Sequence, residues 1–446
     1  MSTHHRQRGT TDPRWVVVHK GARDAYQVSL ALAQANRLDT LVTDWYSPMD
    51  RGWFGPIAGL APAGVDAALR RRYRAGLPSA RVSLYPRDLV LGRFEDARDR
   101  KGDSALGKRA GALARSHDAG ILAYSCYAHA AFSAYGAGSR PKVIFQVHPH
   151  PASLRRLFVE ELELSPDCSA SLSQEPEMSL AEAVFQQRCD EAGMADVCVV
   201  ASGYTRDTLI ENGVEPHRIH VVPYGIDLDH AQAADRPPSG PFRVLFVGQF
   251  TQRKGIKYLL EAWKRLALPH AELVLAGRGG SDAQLLAKYE GSYRFTGAVS
   301  RDELTTLYQT SDVLCMPSLA EGFGLVYLEA LAHGTPIIAT PNTGAADIIT
   351  DGEQGFIVGI RDVDALMERL AWCYDNRAEL AEMRGKAHKL AKRYSWEAFR
   401  SNIVQTVGDA SSGVSPGVSP GVSPDIAPAM SPIVAEDAAL CGQPCK

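Results

Sequence analysis

Short apolar runs without a two-residue period alternate with helical patterns along most of this chain, and the alternation starts twice. The first series begins at Trp15–His19, passes Gly21 and a helical stretch over Asp24–Asn36, and continues with runs at Thr40–Thr43, Gly120–Tyr124, Lys142–Val147, Val197–Ala201 and Ile219–Val222. Strands that are apolar on both sides must be covered on both faces, so runs of this kind separated by helices predict a parallel sheet. The segment Arg236-Pro-Pro-Ser-Gly-Pro241 breaks the pattern with linker chemistry. A second series follows, with strands at Arg243–Val247, Glu272–Ala276, Val313–Pro317 and Pro336–Thr340. Ile256, Leu259, Leu260, Trp263 and Leu266 fall at helical spacing, Ser300 and Glu303 form a capping box, and Gly334 ends a helix over Leu325–Ala332. The expected fold class is α/β, with two Rossmann-like, doubly wound parallel-sheet domains.

A chain of 446 residues is long for one core, and two domains of roughly 200 residues each are expected. The expected organisation is a disordered N-terminus at 1–14, a first domain at 15–236, a linker at 237–241, a second domain at 242–394, a C-terminal helix at 395–410 and a disordered tail at 411–446, where Gly-Val-Ser-Pro recurs. The net charge of −3 argues against nucleic acid as a partner by bulk electrostatics. Met1–Arg14 lacks an apolar core like that of a signal peptide, and no run reaches the ~20 apolar residues that span a bilayer. A cytoplasmic protein with at most peripheral membrane contact is expected. The eight cysteines form no Cys-x-x-Cys pair and read mostly as reduced, buried hydrophobes; Cys441 and Cys445 in the tail suggest a metal or a disulfide.

The stretch Pro317–Gly334 carries the most chemistry. A strand ends at Pro317, a loop presents Glu321, Gly322 and Gly324 flank Phe323, and a helix begins. Glycines admit a ligand close to the backbone, and the N–H groups of a helix start, continuing into Leu325, suit a phosphate. Glu329, further along that helix, can accept bonds from vicinal hydroxyls such as those of a ribose, and Glu321 from those of a second sugar. Arg253 and Lys254 precede a helix opened by Gly255, where two cations suit a diphosphate leaving group. In the first half, Val143–Val147 is a strand followed by His148-Pro-His150, and residues there face the ligand crevice of a parallel sheet. His-x-His without further ligands is incomplete for zinc, so no metal is expected.

On these residues the segment from about Arg243 to Tyr394 resembles the donor domain of the family 4 retaining glycosyltransferases of GT-B fold (group 1 glycosyltransferases). The Glu-x7-Glu element with Gly-Phe-Gly matches Glu321, Gly322, Phe323, Gly324 and Glu329; Arg253-Lys254-Gly255, Gly334-Thr-Pro-Ile-Ile and Asp351-Gly-Glu-Gln-Gly355-Phe match as well. The first half matches more thinly, at Gly21, Ser202, Arg206 and Pro223-Tyr-Gly-Ile-Asp227. The resemblance implies two domains facing a cleft, with the C-terminal helix returning to the first domain. It implies that Glu329 binds ribose, that Glu321 contacts the donor hexose, and that amides over Phe323–Leu325 reach hexose and phosphates. A functional histidine near the donor sugar is implied at His148, with His150 the alternative. The Gly21 loop approaches donor phosphates and acceptor, which makes Arg23 and Asp24 candidate acceptor contacts. One departure stands out: Gly248 is followed by Gln249, where many members have Arg, so Arg253 and Lys254 carry more of the diphosphate load.

The function implied is a retaining, metal-independent transfer of a hexose-type sugar from a nucleoside-diphosphate sugar, UDP- ahead of GDP-, to a glycan or lipid-linked acceptor in cell-surface polysaccharide or glycolipid synthesis, with no cofactor. His148, Glu321 and Lys254 are the expected catalytic residues. No carboxylate spacing offers the nucleophile of a two-carboxylate scheme, so same-face attack by the acceptor is favoured, the leaving phosphate taking its proton. Two rivals are an epimerase of the same fold and a non-catalytic nucleotide-sugar-binding partner protein. A nicotinamide site at Gly277-Arg-Gly-Gly-Ser-Asp282 fails because Asp282 stands at the third glycine position. Trp45–Leu60 is rich in aromatic residues, Arg70-Arg-Arg-Tyr-Arg74 follows on a helix, and 62–115 carries 13 basic against 6 acidic residues. Peripheral contact with anionic membrane through 45–74 is expected. The following region 151–195 is acidic, with 3 basic and 9 acidic residues, and reads as a lid or a wall of the acceptor site.

Overall fold

The computed structural model describes residues 13–86, 100–228, 240–280 and 282–412. Most of the N-terminus 1–14, residues 237–239 of the linker, the tail beyond Ser412 with Cys441 and Cys445, and part of the basic stretch 62–115 lie outside the described residues.

The described strands form two sheets, parallel throughout. The first takes β1 (Trp15–Val18), β2 (Leu38–Thr43), β3 (Val82–Leu84), β4 (Gly120–Tyr124), β5 (Lys142–Gln146), β6 (Val197–Val200) and β7 (Ile219–Val221) in the order β3-β2-β1-β4-β5-β6-β7. The second takes β8 (Phe242–Val247), β9 (Ala271–Ala276), β10 (Arg294–Gly297), β11 (Val313–Cys315), β12 (Ile337–Ala339) and β13 (Gly355–Ile357) in the order β10-β9-β8-β11-β12-β13. Central strands such as Trp15–Val18 and Gly120–Tyr124 are buried at every residue, as their unbroken apolar runs require. The three-residue strands β3 and β13 lie at sheet edges and are too short to show a period, so the sequence pattern does not reveal them.

Each sheet has a switch point where the strand order reverses, between β1 and β4 and between β8 and β11. Loops at the carboxyl ends of these strands form the crevice of a doubly wound sheet.

The capping box forms, with Glu303 N–H on Ser300 Oγ at 3.2 Å and Ser300 N–H on Glu303 Oε2 at 2.7 Å. The helix expected from Asp24 starts instead at Gln27, because Asp24, Ala25 and Tyr26 adopt φ of 44°, 50° and 62°. This left-handed turn brings Asp24 Oδ2 to 2.5 Å from the Tyr124 hydroxyl at the end of β4. Ser411 and Ser412 extend the last helix, Trp396–Ser412.

The chain crosses between the sheets twice. Ile226 N–H donates to Tyr394 O at 2.9 Å, and Gly225 lies so close to Ser395 that a Cβ would fall 2.4 Å from its backbone. After this crossing Phe399, Ile403 and Val407 join the core of the first sheet. The traffic also runs the other way: Leu154, Phe158, Cys168 and Leu172, all from the acidic region, join the core of the second.

Candidate active site

Gly255 sits at φ 71° between a 3-10 turn, Gln252–Lys254, and the helix Ile256–Leu266. A Cβ there would lie 1.9 Å from Pro317 O, so only glycine lets this turn lie against the end of β11. The close approach places Arg253 and Lys254 beside the loop that carries Glu321. Arg253 Nη1 is 2.9 Å from Glu321 Oε1, and Lys254 Nζ contacts the same oxygen. Burial alone would raise the Glu321 carboxyl; the charges of Arg253 and Lys254 overcome it and hold the group below the usual carboxylate range. Burial lowers Lys254 against the pull of Glu321. Glu321 is thus a fixed anion between two cations.

Gly322 packs its backbone against that of the first domain. A Cβ on it would fall 1.9 Å from Val147 O at the end of β5. Its carbonyl accepts from Ser202 Oγ at 2.6 Å and Thr205 Oγ1 at 3.1 Å, both at the start of the helix that follows β6. The Phe323 ring meets Tyr224 edge-on at 5.5 Å, and Gly344 N–H donates to Phe323 O at 2.9 Å. Gly324, at φ 88°, opens the helix Leu325–Ala332. One turn along, Tyr308 donates its hydroxyl to Glu329 Oε2 at 2.8 Å, which fixes that carboxylate.

A cavity of ≈ 390 Å³ lies between the sheets. Arg253, Ala320, Glu321 and Gly322 line it from the second domain; Lys20, Arg23, Tyr127 and His148 line it from the first. Crowding by the surrounding protein, then the cations at Arg23 and Arg253, lowers the His148 imidazole below its usual range. The ring is exposed toward the cavity, and both guanidiniums disfavour its charged form.

Other candidates are placed elsewhere. His150 caps the helix Pro151–Leu164: Nδ1 accepts from Ala152 N–H at 3.2 Å and Nε2 faces Cys189 O at 3.1 Å. Both nitrogens are committed, so His150 is a structural cap and not an acceptor contact. Gly21 donates its amide to Asp44 Oδ1 at 2.9 Å. Asp24 turns to Tyr124, and burial pushes its carboxyl up to about 7. Of the basic run, Arg72 grips Asp44 at 3.0 and 3.2 Å and Arg70 grips Asp66 at 2.7 Å, so both have folding partners.

Sequence reasoning missed Lys20, Arg188 and Glu175. Glu175, from the acidic region, is 3.1 Å from Arg253 Nε and lines the cavity. That region walls the cavity, through Glu175, Pro176, Glu177 and Arg188, and is also bound to the second domain. Its Glu161 accepts from Gln252 Nε2 at 2.6 Å, Tyr258 Oη at 2.7 Å and Arg361 Nε at 2.8 Å, all of the second domain. Asp167 takes Lys257 at 2.8 Å, and Asp282 accepts from Ser171 N–H at 2.9 Å. It is a clasp, which no local sequence signal announces. Among the described residues, no helix is long and apolar enough to cross a membrane.

The chain is similar to known proteins in sequence and in fold. Residues 229–391 match the family model for glycosyl transferases group 1, and 58–230 match that of glycosyltransferase family 4. The chain is 30% identical over 195 residues to phosphatidyl-myo-inositol mannosyltransferase of Mycolicibacterium smegmatis, covering 41% of this chain and 50% of that protein. It is 31% identical over 223 residues to D-inositol 3-phosphate glycosyltransferase of Corynebacterium urealyticum, covering 44% and 53%. The chain thus spans about half the length of the curated relatives it matches. In fold it is similar to Anabaena HepE in complex with UDP-glucose, with TM-score 0.59, 16% identity and coverage of 89% and 100% of the two chains. It is similar to sucrose-phosphate synthase from Thermosynechococcus elongatus, with TM-score 0.59, 18% identity and coverage of 88% and 98%.

Proposed function

Since the chain belongs to the group 1, family 4 glycosyltransferases, we propose that it transfers a hexose-type sugar, with retention, from a nucleoside-diphosphate sugar to a glycan or lipid-linked acceptor. The observation that carries this reading is the convergence of Arg253 and Lys254 on Glu321 in a cavity that His148 faces from the opposite domain. Two cations at one point suit a diphosphate, whose leaving they stabilise without a metal. Glu321 then orients hexose hydroxyls, Glu329 the ribose, and the amides over Phe323–Leu325 the hexose and phosphates. Neutral His148 is able to bond a donor-sugar hydroxyl without repelling the cations. Glu321, locked between cations, stays an anion and serves positioning and charge. The acceptor attacks on the face from which the diphosphate departs, and the leaving phosphate takes its proton.

The donor is UDP-linked ahead of GDP-linked, following the family resemblance. A relative named phosphatidyl-myo-inositol mannosyltransferase supports a lipid-linked acceptor. Trp53, Ile57 and Leu60 are 59%, 58% and 87% exposed on one short segment, beside the exposed Arg71. Such a patch suits peripheral docking to the cytoplasmic face of an anionic membrane.

The test is a thermal-unfolding screen of UDP, GDP and their sugars, followed by donor consumption with and without acceptor. A donor at 100 times its Kd stabilises by about 2.7 kcal/mol. Turnover that survives a chelator is expected. No stabilisation by any nucleotide, or donor conversion that needs no acceptor, defeats the reading.

A further inference from the structure

Arg23 projects from the turn after β1 into the cavity and has no hydrogen-bond or ion-pair partner among the described residues. Its guanidinium is half-buried near Tyr124, Tyr127 and Tyr224, whose hydroxyls are held neutral by burial. An unpaired cation withdrawn from water is costly unless something anionic completes it.

Lys20, Arg100 and Arg188 line the same cavity with the carboxylates of Asp103 and Glu177, and Glu191 lies against Arg188. Lys20 Nζ lies 2.5 Å from Asp103 Oδ1 and Arg188 Nη2 3.8 Å from Oδ2, while Arg100 has no ion pair among the described residues. Across the cavity, Glu175 and Glu321 are engaged by Arg253. Arg23 and Arg100 therefore reach the cavity without an ion pair among the described residues, on the wall opposite Arg253.

We propose that this wall is a phosphate subsite for the acceptor, with Arg23 and Arg100 as its direct contacts and Lys20 and Arg188 flanking them. A guanidinium presents a planar fork that matches two phosphate oxygens. The subsite deepens the transfer reading and rests on it for placing the phosphate on the acceptor. The donor diphosphate has its own cations in Arg253 and Lys254, so a second cationic wall calls for a second anion. The phosphate is a monoester on a soluble polyol or sugar, or a diester in a lipid headgroup.

The test uses the full chain saturated with UDP, so that the diphosphate site is filled, titrated with inorganic phosphate by calorimetry. Phosphate binding is expected, weakened at least about tenfold by Arg23→Gln and by Arg100→Gln, and largely kept by Arg23→Lys. UDP binding by each variant reports that the donor half is folded. Vesicles of phosphatidylglycerol that displace phosphate assign the subsite to a lipid headgroup; vesicles that leave it bound assign it to a soluble phosphate. The proposal is overturned if UDP-saturated protein binds no phosphate, if both Gln variants match wild type, or if phosphate and UDP exclude one another. Failure of the donor reading alone has a different signature: no UDP binding, with phosphate binding intact.

Discussion

Arg361 of the second domain places Nε 2.8 Å from Oε2 of Glu161, a fully buried carboxylate on a helix of the first. The pair lies outside the cleft, yet it ties down the segment that brings Glu175 to Arg253. Glu161→Ala strands Gln252, Tyr258 and Arg361 together, and breaking a buried pair of this kind costs about 3–5 kcal/mol. Urea unfolding should show that loss for Glu161→Ala and a smaller one for Glu161→Gln, which keeps hydrogen-bonding capacity. A wild-type midpoint for Glu161→Ala would mean the clasp contributes nothing.

Lys254→Ala and Glu329→Ala should each lower turnover at least about tenfold, or ~1.4 kcal/mol in the barrier. Release of nucleoside diphosphate measures it. On the proposed reading the first variant removes charge at the leaving group, and the second removes the ribose anchor, a carboxylate that Tyr308 holds at 2.8 Å. Wild-type rates in both would move the donor site elsewhere.

Acid sensitivity should trace in part to His19. Burial, then Arg23, lowers its folded pKa to about 4 from 6.5. Between these values the unfolded chain takes up a proton that the folded chain refuses. The site's contribution to stability is therefore complete above pH 6.5 and lost as pH falls through 4, on the order of 3 kcal/mol in all. His19→Leu should flatten the decline between pH 7 and pH 4, read from urea midpoints across that range. An unchanged slope would show that the imidazole is protonated in the folded state.

Binding to anionic vesicles at low salt should depend on the exposed segment around Trp53. Replacing Trp53 and Leu60 with Ser removes two large apolar side chains, each worth about 1.5–3 kcal/mol if fully inserted, so affinity should drop at least about tenfold in a flotation assay. Absence of vesicle binding by wild type would leave the patch without a membrane role.

Substituting Gly322 by Ala should be disproportionately harmful for one added methyl, because the new Cβ meets the backbone oxygen of Val147 at 1.9 Å and the domains cannot close on it. Overpacking costs about 1–3 kcal/mol. Unfolding midpoint and UDP affinity should both fall; unchanged values would mean the contact at β5 is dispensable.

What the sequence determined by itself is the part governed by short-range rules. Unbroken apolar runs between helices specified the buried parallel strands, Ser300 and Glu303 specified a helix start, and the glycines after Glu321 specified the tight loop that opens the helix at Leu325. Each of these depends on residues within a turn or two. Tertiary structure alone decided what depends on distant partners. His150 sits two residues from His148 in the same loop, but one ring opens to the cavity and the other caps a helix, because the chain turns between them. The acidic stretch reads as a lid or a wall of the acceptor site; it lines the cavity and is also a clasp, because its carboxylates find Arg253, Lys257 and Arg361, which lie roughly 80 to 200 positions away in the chain. Arg23 and Arg72 are the same residue type in basic or loop surroundings, and only the fold gives one a carboxylate and leaves the other facing a cavity. Charge pairing is set by three-dimensional proximity, for which sequence spacing carries no signal.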